Sequence, residues 1–132
     1  MKEFAFAEWD RARRSLNSAL TLVETDPDSA VSRAYYAAFH ALTAMFGLRG
    51  QMFSKHSSLR AALHRDLVQT GILEKETGKD YDFLLELREV GDYGGIAQVL
   101  ADSARQAVEK AESLIAAVVE ACPELAGRES ED

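Results

Sequence analysis

The sequence predicts an all-α protein, an antiparallel up-and-down bundle of four or five helices. Glycine and proline are scarce in four long stretches dominated by alanine, leucine, glutamate and arginine, all good helix formers. Within each stretch apolar residues recur at the three-and-four spacing of one helix face. The joints are mostly short, which makes sequence neighbours antiparallel neighbours in space. A chain of 132 residues holds one domain with a real core and has no room for a second. That domain is expected over residues 1–122, followed by an acidic, disordered tail over 123–132.

The first helix is expected over about residues 4–24, with Trp9, Leu16, Leu20 and Val23 on its apolar stripe and Ala12 and Ala19 alongside. Asp26 is placed to cap a second helix, and Pro27 suits its first position, where the missing N–H has no intrahelical partner to lose. This helix runs to about Phe46, with Gly47 and Gly50 bracketing a loop. Ser54 is the expected cap of a third helix, Leu59, Leu63 and Leu67 its stripe, and Gly71 its end. Residues 74–80 read as a polar connector. The fourth helix carries Tyr81, Leu84, Leu85, Arg88 and Asp92 on one face and Phe83, Leu87 and Val90 on another. It is expected to stop at Gly91-Asp92-Tyr93-Gly94-Gly95, since adjacent glycines are poor in a helix interior. The fifth helix uses Leu100, Ala104, Ala107, Val108, Ala111, Ile115 and Val118, and Pro123 ends it.

The formal net charge of −7 argues against non-specific binding of nucleic-acid backbone by the whole-protein field. A local basic face remains compatible with it, and Arg11, Arg13 and Arg14 form the obvious cluster, with a solvated helix face as the other reading. The single cysteine, Cys122, excludes an internal disulfide and any zinc site of two or more thiolates. It reads as a packed thiol ahead of Pro123. The three histidines form no His-x-x-x-His or Glu-x-x-His pair, so no metal site is expected. The glycine-rich phosphate loops and the Gly-x-Ser-x-Gly elbow are absent, and no cofactor is expected. No stretch approaches the ~20 apolar residues of a membrane span. Met1-Lys2-Glu3-Phe4 does not open a signal peptide, so the reading is a cytoplasmic protein without membrane contact.

The most informative segment is Arg33-Ala-Tyr35-Tyr36-Ala-Ala-Phe39-His40. At about 100° per residue, Tyr35, Phe39, Leu42 and Phe46 share one sector, the spacing of a core face. Arg33, Tyr36 and His40 share a second, beside the small residues Ala37 and Ala44. An imidazole with an ordinary pKa of about 6.5 suits general acid–base work, and a guanidinium suits phosphate. Together they are a minimal kit for metal-free RNA cleavage, in which the 2′-hydroxyl attacks its own phosphate. The alternative is structural: Arg33 pairs with an acidic residue and His40 donates to a carbonyl inside the bundle. Arg88 and Asp92, one turn apart on an apolar face, are either part of a site or an internal ion pair fixing helix register. Lys55-His56-Ser57 at a helix start is either an anion site or holds a satisfied core histidine, and His64 falls on the polar side.

At these residues the chain resembles the HEPN domain family (higher eukaryotes and prokaryotes nucleotide-binding). It is most similar to the bacterial and archaeal branch found beside small nucleotidyltransferases. The resemblance covers roughly residues 6–120. It is carried by Ser32 to His40, then Lys55-His56-Ser57, then Leu87-Arg88-Glu-Val-Gly91-Asp92-Tyr93. It implies a helical bundle, usually a homodimer, in a family that includes metal-independent ribonucleases and toxins of toxin–antitoxin pairs. Their signature is an arginine, four to six residues, a histidine and often a tyrosine two positions on, which a partner nucleotidyltransferase can modify with AMP. Active members carry it on a late helix, here the one bearing Arg88. In this chain Asp92 and Tyr93 stand near the place of that histidine, and Gly95 where the tyrosine would be. Arg33 and His40 have the bare spacing, but on the second helix.

The resemblance therefore implies a protein that binds nucleotide, RNA or a partner, one half of a two-gene module with a small nucleotidyltransferase. A ribonuclease toxin and a non-catalytic structural adaptor are the alternatives. Arg33, His40 and Arg88 are the candidate catalytic residues. Tyr36, His56, Asp92 and Tyr93 are the candidate ligand-binding or polar-network residues, and Arg33, His40, Arg88 and Asp92 are expected to converge between the second and fourth helices, within one chain or across a dimer interface.

Overall fold

The structure, a computed structural model, describes residues 2–93 and 99–130, with side chains described for 2–90 and 99–127. Among these residues it is all helical. Helices α1 (Lys2–Leu22), α2 (Pro27–Leu48), α3 (His56–Ala62), α4 (Lys75–Tyr93), α5 (Ala101–Ala121) and α6 (Pro123–Ser130) follow one another along the chain. A π-helical turn over Leu63–Val68 extends α3. None of these helices is long and apolar enough to cross a membrane.

Helix α2 is the centre of the bundle: α1, α4 and α5 all pack on it, α1 most extensively. Its sequence explains that place. Ala30, Ala34, Ala37, Ala38, Ala41 and Ala44 are fully buried, and such small side chains let neighbouring backbones approach from several sides. A helix apolar nearly all round belongs in an interior. Tyr35, Leu42, Met45 and Phe46 supply the bulk between the alanines and are buried too. Asp26 caps the helix as expected, accepting from Ser29 N–H at 3.3 Å, with Pro27 in the first turn. Its first turn also reaches the segment leading into α5, since Asp28 accepts the Val99 N–H at 2.8 Å.

Several local expectations give way to packing. Gly47 does not open a loop; it lies inside α2, where an added Cβ would sit 3.0 Å from the Phe4 ring and 3.4 Å from Ala5 Cβ. The glycine lets the start of α1 close on the end of α2. Lys55, not Ser54, precedes α3, with no side-chain cap. The connector expected over residues 74–80 is the first part of α4. Thr77 and Gly78 are buried there, and a Cβ on Gly78 would lie 2.9 Å from His64 Cε1. Tertiary contact thus holds helical a segment whose composition suggests a loop. Leu20, expected on the apolar stripe of α1, is 50% exposed, because the buried face follows Ala5, Glu8, Trp9, Ala12 and Ala19.

The expected disordered tail is also corrected. Residues 123–130 form α6, which packs on α5 and α1. Leu125 is fully buried, and Glu124 lies 3.5 Å from Lys2. Burial of one leucine, together with Pro123 at the helix start, turns an acidic segment back onto the bundle. Leu125→Ala is accordingly expected to lower unfolding free energy by about 2–5 kcal/mol in urea titration. An unchanged midpoint would return this segment to a solvated tail.

Candidate functional site

The second face of α2 emerges in the seam between α1 and α4. Arg33 is exposed, while Tyr36 and His40 are half-buried, one turn apart. On the α1 side, His40 Nδ1 lies 2.6 Å from Glu8 Oε2. Glu8 is only 9% exposed, and a carboxylate so placed needs a partner. An ionised carboxylate only accepts, so Nδ1 carries the hydrogen and the neutral ring keeps its lone pair on Nε2. Arg11, at 3.7 Å from the other Glu8 oxygen, adds a cation.

Beside this pair lies an open cleft of about 400 Å³ between α1 and α2. Arg11, Arg14, Ser15, Ser18, Arg33 and His40 line it. The antiparallel packing brings Arg11 and Arg14, from the cluster noted in the sequence, onto the same wall as Arg33. Arg13 takes no part in that lining. The chain is acidic as a whole and basic here.

The α4 side is aromatic. Arg88 donates from Nη2 to Tyr36 Oη at 3.1 Å, and its guanidinium carbon lies 5.1 Å from the ring centroids of both Tyr35 and Tyr36. Two tyrosines thus hold the cation by hydrogen bonding and by their ring faces. Beneath them, Tyr35 Oη lies 2.9 Å from Tyr81 Oη and 2.9 Å from His56 Nδ1. Each buried phenol thereby finds a polar partner, as buried hydroxyls must. Phe39 stacks on His56 with centroids 4.2 Å apart. Burial pushes the Tyr81 phenol far above its ordinary range, with Tyr35 adding to the effect. Burial also raises Tyr35, against the hydrogen bond from Tyr81 and the charge of Arg88. His56 is held below the usual imidazole range by burial first, then by Arg88 and His40.

The convergence expected between the second and fourth helices is therefore divided. Tyr36, His56 and Arg88 meet between α2 and α4, whereas Arg33 and His40 face α1. Tyr36 joins the halves, its ring centroid 6.1 Å from that of His40. The side chains of Asp92 and Tyr93 lie outside the described residues, as does all of Gly95. His64 belongs elsewhere: with Arg60 it binds Asp82, at 3.1 and 2.8 Å. Burial would raise the Asp82 carboxyl, but those two hydrogen bonds outweigh it and hold it below the usual range.

Sequence reasoning missed Glu8, Ser15, Ser18 and Tyr81 as parts of this seam. Glu8 left a signal: it falls between Ala5 and Ala12 on the buried stripe of α1, where a carboxylate demands a partner.

The titrations have a definite sign. His56 is lowered in the fold, so the unfolded chain takes up its proton first, and stability falls as pH drops through about 6.5. Tyr35 and Tyr81 are raised, so stability also falls as pH rises above about 10, where the unfolded phenols ionise. We expect His56→Gln to flatten the acid-side loss between pH 7 and 5 in urea midpoints. Equal slopes in wild type and variant would show that His56 is not its source.

Comparison with known proteins agrees with this architecture. The HEPN domain family model matches residues 7–122. A UPF0332 protein of Thermotoga maritima is 38% identical over 119 residues, covering 89% of this chain and 90% of its own. The crystal structure of TT1696 from Thermus thermophilus superposes with a TM-score of 0.74 at 22% identity, covering 89% of this chain and 97% of the other. At that identity the last comparison speaks for the fold.

Proposed function

The chain belongs to the HEPN domain family, and from that premise we propose that it binds nucleotide or RNA phosphates in the cleft between α1 and α2. The observation that carries the proposal is the wall of that cleft, where three guanidiniums stand with two serine hydroxyls and an imidazole. Guanidinium forks match phosphate oxygens two at a time. A local basic surface acts over roughly a Debye length, about 8–10 Å in ordinary salt, so the net charge of −7 does not cancel it. The cleft has room for phosphate and sugar, with His40 at its edge. Arg88 acts in this reading by fixing Tyr36.

In the same proposal the protein works as a homodimer and as one half of a two-gene module with a small nucleotidyltransferase, as the family resemblance implies. A purely structural adaptor has no use for three exposed guanidiniums around one cleft, which favours binding. Fluorescence titration with a single-stranded RNA oligonucleotide tests the reading. Arg14→Ala with Arg33→Ala is expected to weaken binding about tenfold or more. It should also flatten the slope of log affinity against log salt by about 1.4, the loss of two phosphate contacts. An affinity and slope unchanged by the pair would place the RNA elsewhere.

A second reading, a metal-independent ribonuclease, is favoured by the Glu8–His40 pair beside Arg33. His40 Nε2 would take the proton of the 2′-hydroxyl, whose oxygen attacks the adjacent phosphorus to form a 2′,3′-cyclic phosphate as the P–O5′ bond breaks, the 5′-oxygen leaving as a hydroxyl with a proton from water. Arg33 would stabilise the added negative charge. RNA cleavage in EDTA should then be lost in His40→Ala and reduced in Glu8→Gln, both checked for helicity by circular dichroism. No turnover by the wild type across RNA substrates would sink this reading and leave phosphate binding standing.

A further inference from the structure

The α1–α2 cleft is elongated, and its two ends differ. Two contacts fix the antiparallel register of the helix pair. Gly47 of α2 lies against Phe4 and Ala5 of α1, and His40 hydrogen-bonds Glu8. Two turns back along α2, the same register brings Arg33 opposite residues 15–18 of α1, and Arg33, Ser15 and Ser18 line the cleft together. The backbones of Arg33 and His40 stand two turns apart, about 10 Å along the axis. On α1, Arg11, Arg14, Ser15 and Ser18 recur at three- and four-residue spacing, one stripe of the same length alongside them.

The positive groups are therefore spread along the cleft. At one end the imidazole is held by Glu8 at 2.6 Å, and Arg11 is shared with the same carboxylate at 3.7 Å. Glu8 is only 9% exposed, so its packing fixes the imidazole where it stands. At the other end Arg33 has no ion-pair or hydrogen-bond partner among the described residues. Neither has Arg14, midway along the stripe. Guanidiniums without an acidic partner are open to an anion. The half-buried Ser15 and the exposed Ser18 add hydroxyl donors beside them.

We infer that this cleft holds two successive phosphates of one RNA strand, one at each end, an inference that rests on its reading as a phosphate site. A single phosphate engages one end and leaves the cations of the other unmatched. Two phosphates that share an oxygen, as in a nucleoside diphosphate, lie too close together to reach both ends. In a strand a sugar separates each phosphate from the next. His40 and Arg11 then face one phosphate, Arg33 and Ser18 the other, and Arg14 stands between them. A volume of about 400 Å³ falls within the range of small-molecule sites, which suits one nucleoside with its two flanking phosphates.

Competition of short unlabelled ligands against a labelled single-stranded RNA oligonucleotide counts the phosphates. ApA carries one phosphate; pApA, with the same two bases, carries two separated by a sugar. The full chain should bind pApA about tenfold more tightly than ApA, the scale of one further charge-assisted contact. The step from AMP to ADP, whose phosphates share an oxygen, should be less than about threefold. ApApA, with both phosphates inside the strand, should match pApA within about threefold. In Arg33→Ala the gain from ApA to pApA should shrink to about twofold or less. Lys75→Ala, an equal loss of charge at an exposed position outside the cleft, should keep it. An absent gain, an equal gain from AMP to ADP, or a gain that survives Arg33→Ala would overturn the two-phosphate assignment and leave a site for one phosphate. Preference for pApA alone would overturn the strand and assign the cleft to a free nucleotide. Labelled RNA that ignores the loss of both Arg14 and Arg33 would remove the cleft reading, and this inference with it.

Discussion

The bundle depends on the burial of α2 against three other helices. Its alanines let α1, α4 and α5 approach closely, and its large side chains fill what remains. That constraint leaves this helix only a narrow seam for polar groups. Arg33, Tyr36 and His40 occupy it, and each neighbouring helix must answer their chemistry from its own facing stripe: α1 with Glu8, Arg11 and Arg14, α4 with Arg88. The functional surface is thus the part of a core helix that its neighbours leave uncovered.

The two sides of the seam do this differently. Towards α1 the contact is ionic and open, with a nearly buried carboxylate orienting an imidazole at the edge of a basic cleft. Towards α4 it is aromatic and closed. There a guanidinium lies against two tyrosine rings, one of which begins a buried chain through Tyr81 and His56. Phenols neutral up to high pH and an imidazole resistant to protonation suit a network that positions neighbouring groups. The α1 side presents the groups suited to meeting a charged ligand, which is why the proposed binding site is placed there.

Much of the architecture was legible in the chain. The Tyr35, Leu42 and Phe46 stripe, the Asp26-Pro27 start of α2, the Leu59, Leu63 and Leu67 stripe and the stop before Pro123 are local features, and local rules found them. The failures share a cause. Residues 74–80 and 123–130 are polar enough to read as loop or tail, but Thr77, Gly78 and Leu125 are buried by partners distant in sequence. Gly47 reads as a loop residue in the sequence because its closeness to Phe4 exists only once α1 and α2 have paired. The candidate site was half legible: its residues on α2 and Arg88 were visible, while the carboxylate that orients His40 and the cations that complete the cleft were not connected to it.

By itself the sequence determined the helical class, the buried stripes of α2 and α3, the resemblance to the HEPN domain family and the grouping of Arg33, Tyr36 and His40. Helical periodicity is a property of a few consecutive turns and can be read one segment at a time. Only the tertiary structure decided that His40 meets Glu8, 32 residues away, and that Arg88 meets Tyr36, 52 residues away. The period of a helix states which side chains share a face. Which face of which neighbour it meets follows from packing all the helices at once, around the one that has almost no exposed side to spare.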